Sequence, residues 1–246
     1  MRIRLLGELR DFLTAAQRGY TLHYALTRRA AIKDIVEACG VPHTEIGGIR
    51  IDGRPATAAA VLDAGSRARV LVAPNPAGRA APSLRPALPA PPSFLLDTHL
   101  GRLARYLRLL GFDARYSNDC DDARLAEIAE VDDRVLLTRD RGLLKRARVV
   151  HGRFVRDDDP QAQLDDVVAH FALAAHIAPF ARCSHCNTRL AAVAKADIVH
   201  RLAPLTKRHY HRFGYCPNCD KLFWAGGHVQ RLRQRLARFT HTQPER

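Results

Sequence analysis

The sequence predicts an α/β protein: a mostly parallel sheet alternating with helices, preceded by a small mixed unit and followed by a cysteine-stapled ribbon. Three observations carry that reading. Between Ala73 and Pro92, "APNPAGRAAPSLRPALPAPP" holds seven prolines in 20 residues and no apolar period, the mark of a semi-rigid linker. After it, short apolar runs alternate with helix-period segments, as in βα units. Near the end, two Cys-x-x-Cys pairs stand 29 residues apart, the spacing of a closed four-thiolate site. The expected parts are residues 1–73, a linker over 74–92, residues 93–181, and residues 182–246 with a basic terminal helix.

Each element of the first part follows from its pattern. "MRIRLL" and "YTLHYAL" alternate apolar and polar residues as strands do. "AIKDIVEACG" places Ile32, Ile35, Val36 and Cys39 on one helix face, with Gly40 as the stop. "GGIRIDGRP" and "RARVLVAP" are two further strands, the first entering a turn at Asp52-Gly53. This β-β-α-β-β order resembles a ubiquitin-like β-grasp, similar to small sulphur carriers. Those carriers end on an exposed Gly-Gly, whereas this unit ends Val72-Ala73-Pro74. Docking of a protein partner therefore suits it better than carrier chemistry.

In the middle part, strands are expected at 93–96, 113–117, 134–138 and 152–156, and helices at about 99–110, 122–130, 140–147 and 161–175. Acid follows every strand: Asp97 after "SFLL", Asp119, Asp121 and Asp122 after "DARYS", Asp140 after "RVLLT", and Asp157 to Asp159 after "GRFVR". A parallel sheet would gather these carboxylates at the carboxyl ends of its strands, where functional crevices lie. Clustered carboxylates repel, so a divalent cation among them is the expectation, and hard oxygen donors suit magnesium or manganese. Asp is also a favoured helix cap, which fits Asp121 in particular. In the helix after Asp97, Leu100, Leu103, Ala104, Leu107 and Leu110 share one face, while Arg102, Arg105 and Arg108 fan over the other. Arg139 and Arg141 flank Asp140. Cations around a carboxylate-metal centre suit a phosphodiester substrate.

Cys183, Cys186, Cys216 and Cys219 form the two knuckles, and the 29 residues between them leave room for an inserted strand or helix. Structural zinc is the expected ion. Lys207, Arg208 and Arg212 stand near aromatic residues, and the terminal "GGHVQRLRQRLARF" carries Arg231 and Arg235. Basic groups interleaved with aromatics suit single-stranded nucleic acid. Phe223 and Trp224 are open to either base stacking or the ribbon's own core, and the core suits Phe223 better.

The bulk numbers agree. The formal charge is +14 over 246 residues. Residues 1–92 carry 13 Lys/Arg against 7 Asp/Glu, residues 93–181 carry 13 against 15, and residues 182–246 carry 13 against 3. The basic balance calls for an anionic partner. No apolar run approaches the roughly 20 residues of a membrane span. The start, "MRIRLLGELRDFL", lacks the features of a signal peptide, so a cytoplasmic location is expected. There disulfides are uncommon.

Taken in order, "FLLDTHLGRLARYLRLLGFD", "DDARLAEIA", "RVLLTRDRGL", the Gln-Leu pair of "PQAQL", "RCSHCN", "YCPNCDKLFW" and "GGH" resemble the Mut-seven C-terminal RNase family, a PIN-like nuclease fold with a zinc ribbon appended. The match covers Phe94 to about Leu236, and the first part is similar to the ubiquitin-like domain that often precedes that family. The resemblance implies a PIN-like sheet with helices on both faces and a metal-dependent ribonuclease. By position it implies Asp97 and Asp140 as metal-binding acids, Asp122 as a third with Asp121 close behind, and Asp157 as a fourth. It also implies RNA as partner, with ribosome association and pairing through the PIN-like domain as further expectations. The rival reading is a catalytically inactive RNA- or ribosome-binding protein.

Overall fold

The computed structural model describes residues 1–19, 21–76 and 84–226. Along the chain come β1 (Arg2–Leu5), β2 (Leu22–His23), β3 (Ala30–Ala31), α1 (Ile32–Ala38), β4 (Ile46–Ile51), β5 (Arg54–Ala56), β6 (Val61–Leu62) and β7 (Arg69–Pro74). There follow β8 (Phe94–Leu96), α2 (Gly101–Leu109), β9 (Ala114–Tyr116), α3 (Asp122–Val131), β10 (Val135–Thr138), α4 (Arg141–Leu144), β11 (Gly152–Phe154) and α5 (Pro160–His170). The last described elements are β12 (Ala191–Val193), α6 (Lys195–Ile198), α7 (Pro204–His209), β13 (Phe213–Cys216) and β14 (Lys221–Trp224). None of the described helices is long and apolar enough to cross a membrane.

These elements form two compact units. The first is Met1–Leu88 with Asp119–Arg156, and the second is Pro89–Asn118 with Asp157–Arg246. In the first unit the sheet order is β2-β1-β7-β4-β5, with β1 and β7 parallel and their neighbours antiparallel. That is a β-grasp arrangement, with α1 laid on the sheet. Strand alternation explains the packing: Ile3 and Leu5 of β1 and Val70 and Val72 of β7 face inward onto Ile32, Ile35 and Val36 of α1. Each such fully buried side chain contributes about 1.5–3 kcal/mol. Gly40, at φ 99°, closes α1 as its sequence position predicts.

The stretch 119–156 groups with this β-grasp, although the sequence places it in the middle domain. The reason is physical. Phe154 of β11 packs against the β-grasp core, edge-on to Phe12 with ring centroids 5.3 Å apart. Arg153, with its side chain only 4% exposed, pairs with Glu8 through two contacts at 2.5 and 2.8 Å. Glu45, 1% exposed, accepts from the Phe154 amide at 2.6 Å and the Arg156 guanidinium at 2.9 Å. His43 bridges the Glu37 carboxylate at 2.7 Å and the Val149 carbonyl at 3.0 Å. The expected linker contributes as well: Arg85 donates to the His43 carbonyl at 2.8 Å. Within this unit β10 and β11 run parallel.

In the second unit β8 and β9 are parallel, and all three residues of β8 are buried. Leu103, Ala104 and Leu107 of α2 lie toward Leu164, Val167 and Val168 of α5. Phe94 meets Phe112 and Phe171 edge-on. The helix expected over 161–175 ends at His170, because Ala172 takes a left-handed conformation (φ 50°) before a short 3-10 turn. A three-stranded antiparallel sheet, β12-β13-β14, carries the cysteine knuckles. The strand and helices between the knuckles fill the room that the spacing left.

Candidate functional site

The four cysteines converge. Their sulphurs all lie within 4.8 Å of one another, with Cys183–Cys219 at 4.0 Å and Cys186–Cys216 at 3.5 Å. A tetrahedron of sulphurs about 2.3 Å from a central ion has edges of about 3.8 Å, so the donor set fits a four-thiolate metal. Local turns produce this geometry. Directly after each pair, Asn187 (φ 68°) and Asp220 (φ 52°) take the left-handed conformation that Asn and Asp tolerate best. The Cys183 amide donates to the Thr188 carbonyl and the Asn187 amide to the Cys183 carbonyl, closing the first knuckle. Burial raises the Cys186 thiol, yet hydrogen bonds with Thr188, Cys219 and Asn218 together outweigh it and hold the group at about 5, while Cys219 is pushed up to about 12, chiefly by its contact with Cys186. One sulphur of the set is thus favoured as the thiolate a metal requires.

The first knuckle is anchored by residues whose role the sequence did not disclose. Arg108, expected to fan over the polar face of α2 with Arg102 and Arg105, is only 6% exposed. Its guanidinium donates to the carbonyls of Ala114 at 2.7 Å and His185 at 2.6 Å. Burial lowers its pKa. Asn187 donates to Asp113 at 2.9 Å and accepts from the Ala114 amide, while Arg182 pairs with Asp113 at 3.0 Å. Only the helical period of Arg108 (one residue after Leu107, five after Leu103) hinted that it borders the apolar face.

The acids occupy the positions after the strands, each in its own unit. In the second unit, Asp97 directly follows β8, and its Oδ1 accepts from the Thr98 amide at 2.6 Å and hydroxyl at 3.0 Å. Asp157 accepts from the Asp159 amide at 2.8 Å, and Asp159 caps α5. In the first unit, Asp140 caps α4, its Oδ1 accepting from Gly142 at 2.6 Å and Leu143 at 3.4 Å. Asp121 caps α3, and half-buried Asp122 pairs with Arg146 at 3.5 Å. Capping and metal binding are compatible here, since a carboxylate has two oxygens.

The candidate cations separate. Arg102 and Arg105 are exposed on α2, Arg139 is exposed beyond β10, and Arg208 and Arg212 are exposed near α7 with Lys207 half-buried beside them. Arg141 corrects the expectation. Its guanidinium sits 5.1 Å from the Phe12 ring centroid and 5.4 Å from that of Phe154, and donates to the Phe12 carbonyl, so it is turned to the β-grasp core. Arg231 and Arg235 lie outside the described residues. The aromatic pair is also corrected: Trp224 and Leu222, two apart on β14, pack with Phe213 and Tyr210 in the small ribbon core, so Phe223 points to the other face of that strand.

Comparison with known proteins adds the family. The Mut7-C RNAse domain model matches residues 92–236, and the Mut7-C ubiquitin model matches residues 1–77. A human protein, the exonuclease mut-7 homolog, is 40% identical over 97 residues, which is 37% of this chain and 11% of that protein. The chain thus corresponds to a small part of that relative. No solved structure matches the chain. The first match spans more than half of the chain, and this chain belongs to the Mut7-C RNAse domain family, with a Mut7-C ubiquitin domain at its N-terminal side.

Proposed function

We propose that the chain is a metal-dependent ribonuclease in which Asp97, Asp122 and Asp140 hold magnesium or manganese, with Asp121 and Asp157 as the alternative and additional acids. The observation that carries the reading is the placement of acid just past successive strands, with Asp97 next to the end of β8 and Asp140 in the turn between β10 and α4, all inside the family match over residues 92–236. It includes a PIN-like arrangement, a parallel sheet with helices on both faces, as the sequence resemblance implies. The donor chemistry fits: carboxylate oxygens suit hard divalent cations. Bound metal supplies a water of lowered pKa and neutralises charge developing on the phosphate.

The protein's own groups do the rest. Cap hydrogen bonds fix one oxygen of Asp140, and the Thr98 contacts fix one of Asp97, so each carboxylate has a set orientation. Exposed Arg102, Arg105 and Arg139 are proposed to bind neighbouring phosphates, and Lys207, Arg208 and Arg212 to extend the RNA path along the ribbon. Zinc at the four cysteines would hold that ribbon folded. Arg231 and Arg235 are proposed contributors to the same path.

Cleavage of a labelled mixed-sequence single-stranded RNA, with manganese, with magnesium and with EDTA, tests this. We expect metal-dependent cleavage that Asp97→Asn or Asp140→Asn lowers by more than about a hundredfold, beyond the usual cost of losing an outer-shell group. Salt-sensitive RNA binding with no cleavage under either metal would instead make the chain a binding module.

A further inference from the structure

The outward face of the β-grasp sheet carries a charge pattern that the metal chemistry does not use. Strand register sets it. Parallel pairing of β1 with β7 puts Arg2 beside Arg69 and Arg4 beside Leu71. Antiparallel pairing of β7 with β4 puts Leu71 beside Arg50. Two rows result on one face: Arg2 with Arg69, and Arg4–Leu71–Arg50. All four arginines are exposed, while the alternate residues Ile3, Val70 and Ile49 are buried. Together with Thr21, Gly53, Val70 and Leu71 they line a cavity of about 300 Å³.

Four guanidinium groups on three adjacent strands repel one another, and strands stand only about 4.8 Å apart. Among the described residues none of the four guanidinium groups has a carboxylate partner, although the Asp52 carboxylate accepts from the Arg69 backbone amide at 2.9 Å; the Arg50 guanidinium donates to the Gly53 carbonyl at 3.0 Å. By contrast, Arg153 and Arg156 of this unit are neutralised by Glu8 and Glu45. A cationic face left uncompensated beside neutralised ones is complementary to a polyanion.

We infer that this face binds the phosphate backbone of single-stranded RNA, extending the nucleic-acid path onto the ubiquitin-like domain. The choice of RNA over an acidic protein rests on the nuclease reading; the cationic face itself does not. Among the described residues no aromatic side chain lines the cavity, so the contact is read as one to phosphates rather than to bases. Leu71 supplies an apolar floor between the two outer arginines of its row.

The test is binding of a fluorescein-labelled oligouridylate to full-length Asp140→Asn protein with no added magnesium or manganese and no chelator, from about 50 to 200 mM salt. Binding is thus read without cleavage, and a failed nuclease reading shows only in the separate manganese assay. Each lost phosphate contact lowers the magnitude of the log–log salt slope by about 0.7 for a single strand. Arg4→Gln with Arg50→Gln is expected to lower it by about 1.4, whereas Arg4→Lys with Arg50→Lys preserves it. Unchanged far-ultraviolet circular dichroism and melting confirm the fold of both variants. An unchanged slope and affinity in the glutamine pair would overturn the inference. Polyglutamate displacing the oligouridylate from the wild-type face at equal charge concentration would also overturn it, making the face an acidic-protein site.

Discussion

Glu45 shows what one carboxylate does once water is removed from it. It receives the Phe154 amide and the Arg156 and Arg153 guanidiniums, so truncating it leaves buried donors and charge without a partner. Glu45→Ala is therefore expected to cost about 3–5 kcal/mol, measurable as a lowered urea midpoint. Asp140 is the opposite case. Asn is as good a helix cap as Asp, so Asp140→Asn should leave melting nearly unchanged while cleavage is lost; a matching loss of stability would mean that the side chain acts only through the fold. Residues such as Asp140 were legible because a charged group after an apolar strand stands out. Glu45 was not, since its three partners lie more than a hundred positions away.

At the level of elements, periodicity located most of the structure. The expected strands at 93–96, 113–117, 134–138 and 152–156 appear as β8 to β11, trimmed at their ends where pairing stops. "YTLHYAL" shrank to the two residues of β2, because only Leu22 and His23 pair with β1. Choosing between Phe223 and Trp224 required knowing which face of β14 the helices α6 and α7 cover, and alternation alone gives two faces without naming the covered one. Arg108 illustrates the same limit on a helix: its face is covered by a knuckle almost eighty residues onward. Replacing it by Met leaves the Ala114 and His185 carbonyls unpaired, at about 1–3 kcal/mol each if they stay buried. We expect Arg108→Met to speed zinc transfer to a chromogenic chelator while the β-grasp melts unchanged. Chelation of the wild type should unfold the ribbon strands first.

For the whole chain, pH acts chiefly through groups that folding removes from water. His151 is held below its ordinary 6.5, first by burial and then by the Arg85 guanidinium. The unfolded chain therefore takes up a proton at a higher pH than the folded one, and stability falls as pH drops through 6.5 toward the folded value. Melting temperatures of the wild type should decline across that window, and His151→Gln should flatten the decline. An unchanged slope in that variant would remove His151 from the account.

The grouping of residues 119–156 with the β-grasp has a consequence for ancestry. The two parts are joined by a proline-rich stretch that looks easy to cut, yet Glu8 and Glu45 on one side answer Arg153 and Arg156 on the other. A gene fusion that attached any other ubiquitin-like domain here would strand the buried Arg153 guanidinium and the half-buried one of Arg156. Descendants should accordingly inherit these four positions as a set, changing together or not at all. Relatives that lack the leading domain should carry uncharged residues where this chain has Arg153 and Arg156.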